Sequence, residues 1–153
     1  MRHRTKIMMF VIFVLVIGWQ MAEKATFAEQ EAPPATVSAA DPARFVAYYF
    51  YTTYRCASCE RIEAWSGETV KTRFADALSS GTLAWRSVNT DEPGNKHFVK
   101  DFDLYTKSLV IVEQKDGKPV RWKNLDKVWQ HLRDQEKFTA YVAEEMKAFM
   151  ENS

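Results

Sequence analysis

Apolar residues fall along this chain in two rhythms, short unbroken runs and stripes at helical spacing, and the two alternate. Phe45 to Tyr51, inside RFVAYYFYTT, is rich in aromatic and β-branched residues and predicts a strand. Its nearly continuous apolar character predicts cover on both faces. Glu60 to Ala64 and then Glu68 to Ser80 read as helix, with Val70, Phe74, Ala77 and Leu78 on one stripe and Gly81 as the stop. Ser66-Gly67 between them predicts a kink or break. Leu83 to Asn89 alternates weakly and predicts a second strand, closed by the turn-forming run Asn89-Thr90-Asp91-Glu92-Pro93-Gly94.

Asn95 to Phe102 is a short helix candidate, and SLVIVEQ from Ser108 is the clearest buried strand. Lys115-Asp116-Gly117-Lys118 signals a hairpin, and Val120 to Trp122 returns from it, with Pro119 pointing to a sheet edge. Leu125, Val128, Trp129 and Leu132 suggest one or two helical turns. A longer terminal helix places Phe138, Tyr141, Val142, Met146, Phe149 and Met150 on one stripe. Strands alternating with helices imply an α/β fold with right-handed crossovers and a mainly parallel start, to which the late hairpin adds an antiparallel pair. The expectation is a mixed central sheet of about four strands flanked by helices.

The N-terminal third has a different texture. MRHRTK precedes an unbroken apolar run from Ile7 to Trp19. A run of this length matches the apolar core of a secretory signal and falls short of the ~20 residues of a spanning helix. Residues 1–28 therefore read as a signal peptide or membrane anchor, with Thr26-Phe27-Ala28 as a small-residue site that could be cut. If the leader stays, a helix from Ile7 to Ala22 anchors the chain, and membrane contact is confined to this segment. Arg2, Arg4 and Lys6 hold the N-terminus on the cytoplasmic side. The rest is expected across the membrane, in a periplasmic or other extracytoplasmic space where disulfides persist. Residues 29–41, EQEAPPATVSAAD, mix Ala, Pro, Glu and Ser without periodicity and read as a flexible linker. The folded domain is expected over 42–153.

Composition changes this picture little. With 153 residues, 46% of them hydrophobic and 27% charged, the chain has room for one ordinary core and an appendage. Net charge is +1, but Arg2, Arg4, Lys6 and Lys24 against Glu23 make the first 28 residues net +3, so the remainder is slightly acidic. No basic face large enough to neutralise several phosphates is evident, which excludes nucleic acid as the expected partner.

The chemistry concentrates in YYFYTTYRCASC, which holds both cysteines of the chain, Cys56 and Cys59. Between a buried strand and a helix, the first thiol of a C-x-x-C sits beside unpaired backbone N–H groups and the positive end of the helix dipole, so its thiolate is favoured. Cys56 is then the nucleophile. Cys59, one turn on and less exposed, is the resolving thiol. Arg55 adds a positive neighbour if its side chain points toward the sulfur.

Two bland alternatives stand beside this reading. One is a structural staple, although so short a loop gains little from chain entropy. The other is a metal or copper clip, for which only His97 and His131 remain as further ligands after the leader, where zinc wants three or four. Both histidines read more simply as solvent-facing helix residues. Tyr48, Tyr49, Tyr51 and Tyr54 read as sheet packing and as walls of the site, with Tyr54 a candidate cover for Cys56.

The strand followed by TTYRCASC, the stretch NTDEPGNKHFVKDFDLYTKSLVIVE and the KDGK hairpin together resemble the thioredoxin-like fold family over about Phe45 to Met150. The resemblance implies a dithiol–disulfide site at Cys56 and Cys59, exchange with thiols or disulfides of a partner protein, a redox partner in the membrane as a further candidate, and no cofactor. It also exposes departures. Lys107, in Thr106-Lys107-Ser108, stands where the family usually has a cis-proline shaping the substrate groove, which makes Thr106 and Lys107 site-shaping candidates. Phe50, six residues before Cys56, stands where thioredoxin has a buried acid serving the second cysteine. Ala57-Ser58 replaces the familiar Gly-Pro. Positive neighbours and the missing acid lean toward an oxidising couple, because stabilising the reduced form makes the disulfide the better oxidant. A redox-inactive accessory or binding module on the same fold is the competing expectation.

Overall fold

The structure, a computed structural model, describes residues 43–153. The leader and linker readings over residues 1–41 lie outside the described residues. Among the described residues, four strands and four α-helices follow in order: β1 (Phe45–Tyr51), α1 (Ala57–Arg73), α2 (Ala75–Ser79), β2 (Leu83–Asn89), α3 (His97–Asp101), β3 (Ser108–Lys115), β4 (Lys118–Asn124) and α4 (Gln135–Glu151). Short 3₁₀ turns at Pro93–Asn95 and Asp126–Trp129 complete the set. No helix among the described residues is long and apolar enough to cross a membrane.

The strands form one mixed sheet in the order β2-β1-β3-β4. The β1–β2 pair is parallel, whereas β1–β3 and β3–β4 are antiparallel. This is the mixed sheet of about four strands, flanked by helices, that the sequence pattern leads one to expect. The parallel start thus ends one strand sooner than the crossover pattern implies. The segment Thr90 to Lys107, with its five-residue α3, enters β3 at the end of the sheet where β2 stops, so β3 must run back. Tyr51 pairs with Asn89, and Phe50 with Ser108. Four connections therefore gather at one end of the sheet: the CxxC loop after β1, the turn after β2, the approach to β3 and the exit from β4, whose Asn124 pairs with Val110.

Strand alternation explains the continuous apolar run of β1. Phe45, Ala47 and Tyr49 face one side, where Ile62 and Val70 of α1 and Phe138, Val142, Met146 and Phe149 of α4 close the main core. Val46, Tyr48 and Phe50 face the other side, against Phe98, Phe102, Val110 and Val112. Fully burying each such side chain contributes about 1.5–3 kcal/mol, so β1, buried along its length, is the spine of the domain. The β3–β4 hairpin turns through Asp116 (φ 51°) and Gly117 (φ 72°). Both are left-handed, as a two-residue turn matching the strand twist requires. Pro119 lies in edge strand β4, where a missing N–H costs no inner ladder bond.

Of the kink or break expected at Ser66-Gly67, the break does not occur. Helix α1 runs unbroken from Ala57 to Arg73 and turns at Phe74 instead. Both residues are buried, and a Cβ built on Gly67 would meet the Trp85 indole of β2 at 3.4 Å. The missing side chain serves close helix–sheet approach rather than chain reversal. An alanine just fits, and alanine is favoured over glycine in a helix by about 1 kcal/mol. Gly67→Ala is therefore predicted to raise stability to urea by about 0.5–1 kcal/mol, whereas Gly67→Leu, which must displace Trp85, lowers it by about 1–3 kcal/mol.

Candidate active site

The loop leaving β1 is tied to the turn leaving β2. Thr90 donates from its N–H (2.8 Å) and its hydroxyl (3.0 Å) to the Tyr51 carbonyl. The Thr53 N–H donates to Asp91 Oδ2 (2.8 Å), and Asn89 Nδ2 donates to the Thr53 hydroxyl (3.2 Å). Within the loop, the Thr52 hydroxyl donates to the Tyr54 carbonyl (3.1 Å). These bonds deliver the chain to the start of α1 with Cys56 as its N-cap, in extended conformation (φ −116°, ψ 159°).

Cysteine is not among the side chains that usually cap a helix. Here the Cys56 sulfur takes that position, accepting the Cys59 N–H at 3.2 Å, and it is joined to Cys59 by a disulfide. The two ends of the bridge differ. Cys59 is 1% exposed, whereas Cys56 is only partly buried. When the bridge opens, a thiolate at Cys56 keeps a backbone N–H donor and the positive end of a 17-residue helix, and Cys59 faces the core.

Tyr49 supports the first turn from beneath. Its hydroxyl donates to the Cys59 carbonyl at 2.7 Å, and its ring stacks on Tyr51. Burial pushes the phenol well above its ordinary range, with Arg55 opposing and Glu63 reinforcing the shift, so it stays a donor at every physiological pH. Phe50 lies on the opposite face, packed on Phe98 and Phe102. Tyr49, on the face of β1 opposite to Phe50, is thus the side chain that bonds the Cys59 backbone.

Arg55 does not serve as a free cation. Its guanidinium donates to Glu63 and lies 4.4 Å from the centre of the Tyr51 ring, while Glu63 also accepts the Ser87 hydroxyl of β2. The hydrogen bond to Glu63 is the main reason the guanidinium is held above its ordinary range, burial opposing it. Sequence reasoning missed Glu63, although it sits one helical turn beyond Cys59. The available signal was its spacing of eight from Arg55 on a helix already expected.

The remaining candidates lie at the same end of the sheet. Tyr54 is 77% exposed, and the Lys107 ammonium lies 5.8 Å from its ring centre. The structure thus turns Tyr54 outward to Lys107 and shows no bond from it to Cys56. The Lys107 carbonyl accepts the Trp129 indole N–H (3.1 Å), and the Thr106 carbonyl accepts the Ser108 hydroxyl (2.9 Å). No peptide bond among the described residues is cis. His97 is exposed beside Asp101, while His131, expected toward solvent, is partly buried beside Tyr141. No group of three or more His, Cys, Asp or Glu side chains suited to a metal gathers among the described residues.

No family model matches the chain, and no curated protein matches it. Among solved structures it is similar to the oxidised thioredoxin of Plasmodium falciparum, at 18% identity over 61% of this chain and 82% of that one, with a TM-score of 0.39.

The Arg55–Glu63 pair yields a prediction that separates charge from fold. Glu63→Gln leaves the guanidinium of Arg55, the residue before Cys56, uncompensated and is predicted to speed alkylation of the reduced Cys56 thiol at neutral pH by about 3- to 10-fold. It also costs about 1–2 kcal/mol in urea unfolding. Arg55→Gln leaves the Glu63 carboxylate uncompensated instead and is predicted to slow the alkylation by a similar factor, so the two variants move the rate in opposite directions.

Proposed function

We propose that this chain is an exported thiol–disulfide oxidoreductase that exchanges disulfides with a partner protein through Cys56 and Cys59. The observation that carries the proposal is the asymmetry of the bridge. One sulfur is accessible and capped onto a helix N-terminus, and the other is sealed in the core.

In the direction that reduces a partner, the Cys56 thiolate attacks one sulfur of the partner's disulfide. The S–S bond breaks, and the distal sulfur departs as a thiolate that takes a proton from water. Cys59 then loses its proton and attacks the Cys56 sulfur, releasing the partner's second thiolate. Two electrons have moved, and the Cys56–Cys59 disulfide remains. Run backward, the same steps place a disulfide in the partner.

The oxidising direction is the one we favour, since a helix end that stabilises the Cys56 thiolate stabilises the reduced form. Arg55 adds little to this push, because Glu63 engages it. A membrane redox partner would then restore the bridge. Export rests on the leader: a basic start, an apolar run from Ile7 to Trp19, and a linker before the domain.

Trapping tests the proposal. A full-length Cys59→Ala variant expressed in cells is expected to accumulate mixed disulfides through Cys56 that a reductant releases, in the extracytoplasmic fraction. The Cys56→Ser variant accumulates none. Absence of adducts, together with parent and Cys56→Ser chains equally inert toward a peptide disulfide, contradicts turnover and leaves a docking module. Adducts confined to the cytoplasm contradict export alone.

A further inference from the structure

We propose that the groove lined by Thr52, at the root of the CxxC loop, recognises partner segments carrying a carboxylate next to their cysteine, and that Lys96 and Lys107 make this choice. The inference rests on the exchange reading above and names its substrate class.

The groove opens at the end of the sheet from which the CxxC loop departs and has a volume of about 530 Å³. Its floor is apolar, with Phe50, Val99 and Leu104 among its lining residues, and its charged lining consists of Asp91, Lys96 and Lys107. The three charges are not equivalent. Asp91 is committed to the Thr53 N–H, which tempers its pull on a ligand. Neither Lys96 nor Lys107 pairs with a carboxylate among the described residues. The nearest acid in sequence to Lys96, Glu92, accepts from Asn95. An incoming chain therefore meets two ammonium groups whose charge no ion pair cancels, next to an apolar floor.

Two aromatic side chains mark the same rim. Tyr105, one of the lining residues, is 95% exposed, and Tyr54, which faces Lys107, is 77% exposed. Large aromatic groups left in water beside a groove are the usual anchors of a contact surface. Tyr54 stands two residues before Cys56, so a segment lying along Tyr54 and Lys107 brings its own sulfur toward the nucleophile. The surface fits an extended acidic segment with an apolar neighbour. A basic segment is repelled, which supplies discrimination as well as attraction.

The test uses the full-length chain and three disulfide-bonded peptides that differ only in the residue beside the cysteine: Glu, Gln or Lys. At about 0.01 M salt the Glu peptide is expected to exchange about tenfold faster than the Gln peptide, the Lys peptide slower than both, and the spread to shrink to about twofold at about 1 M salt. In the Lys96→Glu/Lys107→Glu variant the order inverts, an outcome that mere loss of structure does not produce. Equal rates on the Glu and Gln peptides at low salt, or an unchanged order in the double variant, overturn the proposal. If no peptide is turned over, the exchange reading fails separately, and fluorescence polarisation with Cys56→Ser still decides the groove. Tighter binding of the Glu peptide supports it, and equal binding of all three overturns it.

Discussion

The 3.2 Å contact from the Cys59 N–H to the Cys56 sulfur is the constraint on which the rest depends. It is made only because Cys56 is extended and α1 begins at the next residue. That junction is held by bonds between two loops distant in sequence, Thr52 to Tyr54 after β1 and Asn89 to Asp91 after β2. Parallel pairing of β1 with β2 is what brings them together, and burial of β1 on both faces is what keeps the pairing in register. Sheet topology, loop geometry and thiol chemistry thus form one chain of causes.

The surroundings of the pair combine a firm base with restrained electrostatics. Tyr49 fixes the first turn through the Cys59 carbonyl, and the shift of its phenol keeps that donor in place. Glu63 collects Arg55 and the Ser87 hydroxyl, so the cation beside Cys56 stiffens the loop without adding a full charge to the sulfur. The helix end is then the principal positive influence on Cys56, while Lys107 lies against the Tyr54 ring.

Much of the fold was legible in the pattern of residues. The bounds of β1 and β2, the start of β3, the hairpin at Asp116-Gly117 and the buried stripe of α4 follow from period and turn chemistry, which are local properties. The misreadings share a cause. Gly67 looks like a breaker until Trp85 is seen against it. Arg55 looks like a free cation until Glu63 folds beneath it. Tyr49 looks like plain sheet packing until its hydroxyl is seen on the Cys59 carbonyl. The direction of β3 depends on which end of the sheet a connection occupies, which its composition does not encode. Each needed a neighbour supplied by tertiary structure.

The central claim is that Cys56 is an activated thiol by virtue of its place on α1. Ultraviolet absorbance of the thiolate, followed against pH in the reduced full-length chain and assigned with Cys56→Ser, measures this directly. The account predicts that the Cys56 thiolate is half formed well below the value of free cysteine, within about 3.5 to 7.5. A Cys56 thiol that ionises only near or above about 8.5 contradicts it.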